Sequence, residues 1–286
     1  MRPLTIAHLS DLHFGGVADL LALEVAAGLV RALAPDATVV SGDLTLRARH
    51  GELQAARLYV DSLASFAPTL VVPGNHDIQW WRSPFHLLGR ARISTKWRRW
   101  FGEELTPVLR IPGAVIAGAL SANGLSLGSL TLNPNDMTVK GDLPARETRR
   151  LAKLFDSAPP GTFRVVVLHH NVLRGNISQR IGLSHWQSAQ RRLLASGADA
   201  VLCGHDHEEG IGQIDGRLVV STASTLSTRA RQQRPVSFNV VRLSPDRIEV
   251  EYFRWDVGPC AFRASDRSVF SRTPRGDAAA RTVAPA

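Results

Sequence analysis

The stretch Leu4-Thr5-Ile6-Ala7-His8-Leu9-Ser10-Asp11-Leu12-His13 decides how this chain reads. An apolar run ends in a loop that carries an Asp and a His two positions apart. The arrangement recurs: the runs Ala37–Val40, Leu70–Val72, Val165–Leu168 and Val201–Cys203 lead into Gly42-Asp43, Gly74-Asn75-His76-Asp77, His169-His170-Asn171 and Gly204-His205-Asp206-His207. Near-continuous aliphatic runs of this length are the pattern of strands buried on both faces of a parallel sheet. In such sheets the loops that follow the strands converge on one crevice. Asp, Asn and His side chains from all of these loops then meet in one place, as a two-metal site requires. Residues two apart in an extended segment point the same way, so the pairs Asp11/His13 and His205/His207 can each face one site. Gly42, Gly74 and Gly204 let the backbone approach closely or turn sharply there.

Outward from these blocks, the first half reads as βαβαβ. One helix is expected over about Leu20–Leu33, with Val25, Leu29 and Leu33 on one face. A second is expected over about Glu52–Ser65, and Pro35 and Pro68 end the two. Strand-like runs follow at Val108–Ile111, Val115–Ala119 and Leu127–Leu132, then a helix over Pro144–Ser157 with Pro just inside its first turn. A further helix spans about His185–Ser196, and β signal returns at Leu218–Ser221, Ser237–Leu243 and Arg247–Phe253. The segment of about 78–109 reads as a basic, Trp-rich insertion beside the site. It holds Trp80, Trp81, Trp97 and Trp100 among Arg82, Arg90, Arg92, Lys96, Arg98 and Arg99. Trp97, Trp100 and Phe101 are spaced for a short amphipathic helix. Residues 1–270 thus form one domain, and the Ala-, Arg-, Pro- and Thr-rich stretch 271–286 is expected to be a disordered tail.

The 286 residues suffice for one sizeable core, and 44% hydrophobic with 21% charged residues is the balance of a folded soluble protein. No apolar run is long enough for a spanning helix, and no signal peptide is expected before the first strand. Only Cys203 and Cys260 are present, which excludes a disulfide scaffold and fits a reducing, cytoplasmic setting, with a place at the inner face of the membrane also open. Cys203 reads as a small buried hydrophobe. The net charge of +9 favours anionic partners, whether nucleotides, nucleic acid or acidic lipid surfaces, without choosing among them. His8 reads as core, and His50, His86 and His185 as ordinary structural or surface groups. Arg47 and Arg49, just after Asp43, read either as a phosphate clamp or as a solvated start of a helix.

The ordered set Asp-x-His, Gly-Asp, Gly-Asn-His-Asp, His, Gly-His-x-His resembles the calcineurin-like metallophosphoesterases over about residues 4–255. Within that family, Ser10–Gly15 and Thr222–Val241 are similar to a small bacterial phosphodiesterase branch. The resemblance implies an α/β fold, a four-layer αββα sandwich of two mixed sheets flanked by helices. It implies two divalent metal ions, with Asp11, His13 and His207 at one and Asn75, His169 and His205 at the other, bridged by Asp43. His169 is matched in preference to His170, which is left beside the ligands. Carboxylate, amide and imidazole donors suit Mn, Fe or Zn. His76 is the implied proton donor to the leaving group, and Asp77 a candidate to hold its ring. The expected function is a phosphodiesterase on a small nucleotide-like diester such as a 3′,5′-cyclic nucleotide. A UDP-2,3-diacylglucosamine-type pyrophosphate hydrolase at a membrane surface and a nuclease are the alternatives, and a non-catalytic scaffold is a further one. The aromatic and basic insertion suits lipid head groups, stacked bases or a packed cap.

Overall fold

The computed structural model describes residues 3–79, 82–83, 87, 90–124, 140–229 and 235–272. Trp80, Trp81, His86, the expected strand Leu127–Leu132 and most of the expected tail lie outside these residues.

Among the described residues, twelve strands form two six-stranded mixed sheets. The first has the order β12-β11-β10-β1-β2-β3. Here β1 (Leu4–Leu9), β2 (Ala37–Val40) and β3 (Thr69–Val71) run parallel, and β10 (Ser237–Ser244), β11 (Arg247–Asp256) and β12 (Ala261–Ser271) extend the sheet antiparallel. The second has the order β4-β5-β6-β7-β9-β8. Its centre, β5 (Ala114–Gly118), β6 (Phe163–His170), β7 (Ala200–Gly204) and β9 (Leu218–Thr222), is parallel. The antiparallel strands β4 (Val108–Ile111) and β8 (Gly210–Ile214) close its edges.

Alternation along the strands sorts the core into three layers. Ile6, Val39, Leu70, Val165, Val167, Leu202 and Val241 pack between the sheets. Ala7, Leu9, Val40 and Phe238 turn outward onto α1 (Leu20–Leu33) and α2 (His50–Ala64). Val166, Leu168, Val201 and Cys203 turn outward from the second sheet onto α4 (Ala145–Asp156) and α5 (Trp186–Ala195). The architecture is therefore the expected four-layer αββα sandwich. His8, on the inner face of β1, is fully buried against Ser41, and burial pushes its pKa down to about 3.

Several boundaries differ from expectation for local reasons. The α2 helix starts at His50, because Glu52 accepts from the backbone N–H of Arg47 and Arg49 and draws the first turn back. Pro144 is the extended residue before α4, not its first helical residue. Ser271 completes β12 and Arg272 pairs with Asp199 at 2.9 Å, so both belong to the fold and not to a tail. Strands β8 and β12, which lack a clean apolar alternation, were not expected.

Within the segment 78–109, a 3-10 turn (Arg90–Ser94) leads into α3 (Thr95–Phe101). Trp97 is 1% exposed, stacks on Phe101 at 4.3 Å and joins the core shared with α1 and α2. Lys96 Nζ donates to the Ala48 carbonyl, and Arg57 donates to the Trp100 carbonyl. This helix packs as a cap on α2. Trp97→Ala should lower stability by about 3–5 kcal/mol, seen as a lower urea midpoint with an unchanged denaturant slope. Leu58→Ala, at a side chain 65% exposed, should stay within about 0.5 kcal/mol.

Candidate metal centre

Register brings the site loops to one level. Leu9 lies beside Val40, and Val40 beside Val71, so β1, β2 and β3 end together. The backbone N–H groups of Asp11 and His13 donate to the carbonyls of Gly42 and Asp43, both at 3.0 Å. Asp77 ties in the third loop: its carboxylate accepts from Leu44 N, Thr45 N, Thr45 Oγ1 and Gly74 N at 2.8–3.1 Å. Burial and the Asp43 charge push Asp77 up to about 6 against these hydrogen bonds.

The expected role of Asp77 in holding the His76 ring does not match this geometry, because its donors come from the loop backbone and Thr45. The ring is held elsewhere. His76 Nδ1 donates to the Leu46 carbonyl at 2.7 Å, and a carbonyl can only accept, which fixes the tautomer. Its Nε2 lies 3.4 Å from Arg229 Nη1 and 4.0 Å from Asp43 Oδ2.

The alternation expected to aim paired ligands is also replaced. Asp11, His13, Asp43, His205 and His207 all have φ between 49° and 83°. The left-handed conformation costs about 1–2 kcal/mol per non-glycine residue, so turns in the loops, and not an extended alternation, carry these side chains. Close approach explains two glycines. A Cβ at Gly204 would lie 1.9 Å from Ser10 Oγ, and one at Gly74 would lie 2.1 Å from Asp43 Oδ1.

Two donor sets result. In the first, His13 Nε2 and His207 Nε2 are 2.9 Å apart, and Asp11 Oδ1 lies 3.3 Å from the latter and 3.8 Å from the former. In the second, His169 Nε2, His205 Nδ1 and Asn75 Oδ1 form a triangle with edges of 3.0, 3.1 and 3.2 Å. Asp43 Oδ2 is 3.3 Å from His169 Nε2, and donor atoms of Asp11, Asp43 and His169 lie within 4.8 Å of one another, which joins the sets. His169 continues the inner-face series of Val165 and Val167. A register shift in β6 between Val167 and His170 follows, the mark of a bulge that re-aims side chains. His170 contacts Ser121 Oγ at 2.9 Å and packs its ring 4.5 Å from that of His205.

The electrostatics are those of a site short of positive charge. Burial works against ionised Asp11 and Asp43, yet the surrounding histidines outweigh it and hold both below the usual carboxylate range. Burial opposes a charge on His169, but Asp43 and Asp11 carry it up to about 9. Burial pushes His13 down to about 3 and, with its histidine neighbours, His205 well below its ordinary value.

Donor edges near 3 Å match coordination spheres with metal–ligand distances of about 2.1 Å. Asp11 Oδ1 is buried with no hydrogen-bond donor, a costly state that a cation relieves. The residues present therefore fit two divalent ions.

Above the donor sets lies a cleft of about 530 Å³, with Asp43, Asn75, His76, His205 and His207 in its lining. Arg229, Lys140, Arg174, Arg180 and Trp186 line it too. These last residues stand in no motif and were missed, although Arg229 falls inside the Thr222–Val241 segment. Arg47 and Arg49 are exposed outside the cleft, and Arg49 pairs with Glu52. Among the described residues no helix is long and apolar enough to cross a membrane.

A family model described as calcineurin-like phosphoesterase matches residues 4–209. The chain belongs to that family. Membership supports a metal-dependent phosphoester hydrolase, and the clustered Asp and His residues suit the dinuclear centre such proteins typically hold. No curated protein sequence matches. The fold is similar to that of a purple acid phosphatase from yellow lupin (Lupinus luteus) seeds, at TM-score 0.69 and 11% identity over 94% of this chain. This chain spans 54% of that one, about half its length. It is also similar to a dimetal phosphatase from Danio rerio, at TM-score 0.62 and 13% identity over 96% of this chain and 100% of that one. A third is the Plasmodium inner-membrane-complex anchor GAP50, at TM-score 0.62 and 12% identity over 96% and 90%.

With His169 protonated up to about pH 9 in the ion-free protein, metal uptake at pH 7.5 should release about one proton from it. Calorimetry in buffers of different ionisation enthalpy should show this, and affinity should fall about tenfold per pH unit below 9. Gly204→Ala should abolish stoichiometric metal uptake, read by elemental analysis.

Proposed function

We propose that the chain is a dinuclear metal-dependent phosphodiesterase that hydrolyses a small, nucleotide-like diester, of which a 3′,5′-cyclic nucleotide is the simplest instance. One observation carries the reading: the sets Asp11/His13/His207 and Asn75/His169/His205, with Asp43 beside His169, lie beneath a cleft sized for a small molecule. The similarity of Ser10–Gly15 and Thr222–Val241 to small phosphodiesterases supports a diester. Burial of Trp97 supports the cap reading of the insertion over a lipid contact.

In this reading Asp11, His13 and His207 hold one ion, Asn75, His169 and His205 the other, and Asp43 both. Bound there, the ions would supply Lewis acidity toward the phosphoryl oxygens and an acidified water nucleophile. The chain's own side chains do the rest. Asp43 places negative charge between the two sets. Arg229 presents N–H donors to the non-reacting phosphoryl oxygens beside His76. The His76 ring, fixed through Nδ1, keeps Nε2 on the cleft side, where its protonated form gives a proton to the leaving oxygen. Asp77 acts through the loops that carry Asp43 and His76.

Asp43→Asn should lose metal from both sets and all turnover. Two ions retained in that variant, by elemental analysis, would refute the bridging role. His76→Ala should keep its metal and lose about 10²–10⁴-fold in rate on diesters with alkoxide leaving groups. The loss should be much smaller with nitrophenolate, which departs without a proton. Equal losses on both would remove His76 from proton donation.

A further inference from the structure

The cleft holds more positive charge than one diester answers. A reacting diester brings a single negative charge, which two ions bound at the donor sets, together with Arg229, would already answer. Arg174 and Arg180 line the same cleft from another element, the loop between β6 and α5.

That loop is anchored to the metal centre. Ser178 Oγ donates to Asp206 at 2.6 Å, and Asn171 Nδ2 donates to the same carboxylate at 3.2 Å. The backbone N–H groups of Ile177 and Ser178 donate to Glu208 at 3.3 and 3.0 Å. Gly175 N donates to the Arg180 carbonyl at 2.8 Å and closes the turn, and a Cβ at Gly175 would lie 2.2 Å from Glu208 Oε1. Asp206 and Glu208 alternate in sequence with His205 and His207. One short segment thus sends two imidazoles to the ions and two carboxylates to the loop. The anchoring carboxylates are taken up by loop N–H and O–H groups. Arg174 donates through Nη1 to the Gln179 carbonyl, and no carboxylate pairs with Arg174 or Arg180 among the described residues. Two exposed arginines therefore line the cleft from a loop tied to the segment that carries His205 and His207, with Trp186 and Ile181 in the same lining. Planar guanidinium forks suit bidentate contact with phosphate oxygens.

We infer that Arg174 and Arg180 form a subsite for a second anionic group, so that the substrate carries at least one phosphate beyond the diester that is cleaved. This rests on the phosphodiesterase reading and narrows it: a doubly phosphorylated nucleotide-like diester is preferred over a cyclic mononucleotide.

Three chromogenic esters test it with the metal-loaded full chain: the p-nitrophenyl ester of thymidine 5′-phosphate, the same ester with a 3′-phosphate, and the p-nitrophenyl ester of thymidine 5′-diphosphate. At low salt, at least one doubly phosphorylated ester should show a kcat/KM ten or more times that of the first, mainly through KM. Arg174→Ala and Arg180→Ala should each reduce that ratio at least fivefold, Arg180→Lys should restore part of it, and circular dichroism should show all variants folded. A ratio near one for both doubly phosphorylated esters overturns the subsite. So does a ratio that survives both alanine changes. Hydrolysis of none of the three overturns the phosphodiesterase reading and the subsite with it.

Discussion

Two carboxylates, Asp11 and Asp43, are buried where the loops of both sheets meet, and the need to balance their charge governs the structure around them. A buried carboxylate is tolerated only when opposite charge and hydrogen bonds replace the water it lost. Ser10 Oγ and His205 N donate to Asp11 Oδ2, and His76 N donates to Asp43 Oδ1. Each thus keeps one oxygen toward the histidines. His13 and His207 approach one, and His169 approaches the other. The first sheet supplies the acids and Asn75, while the second supplies His169, His205 and His207. Neither sheet holds a complete donor set alone, so the packing of one against the other is also the assembly of the site.

This requirement reaches into the backbone. Left-handed φ at five donor-bearing residues costs free energy, and the surrounding network holds it in place. Asp77 binds two loops through four hydrogen bonds, and Thr225 Oγ1 donates to the Asp11 carbonyl at 2.6 Å. The inter-sheet layer of Ile6, Val39, Val165 and Val167, on strands that lead into these loops, is aliphatic and buried. Strain of this kind persists at functional sites when packing over-determines the local conformation. It also explains the glycines beside the acids, where even a methyl group would collide with a carboxylate or with Ser10.

Much of this was legible in the residues, and the limits follow from physics. The runs Leu4–Leu9, Ala37–Val40 and Val201–Cys203 announce buried strands because both faces of each strand are covered. The ordered blocks name the donors because few other residue types can hold divalent ions. Period-two alternation from Val165 and Val167 would have placed His169 inward without any family comparison. The left-handed donors were not legible: Asp and His are enriched in that conformation, but too few of them adopt it for the residue type to mark a position. Asp77 sits next to His76 in sequence, yet it serves backbone groups some thirty residues away. Arg174, Arg180 and Arg229 meet only through tertiary folding, and the sequence, rich in arginine, does not mark them out. Strands β8 and β12 pair at sheet edges, where exposure removes the apolar pattern.

The order of the strands has a consequence for how the chain is made. β1 leaves the ribosome long before one of its two neighbours in the sheet: it is flanked by β2 and by β10, which begins at Ser237. Synthesis therefore runs through most of the chain while one edge of β1 has no partner. For most of that interval His205 and His207, which lie beside Asp11 in the folded chain, have not yet been made either. An open edge on an aliphatic strand invites pairing with other chains, and contacts so distant in sequence form slowly. The nascent protein is therefore most exposed to misassembly in the time between translation of β3 and arrival of β10. A chaperone that shields the free edge of β1 would act in that window, which opens before His169, His205 and His207 have been made.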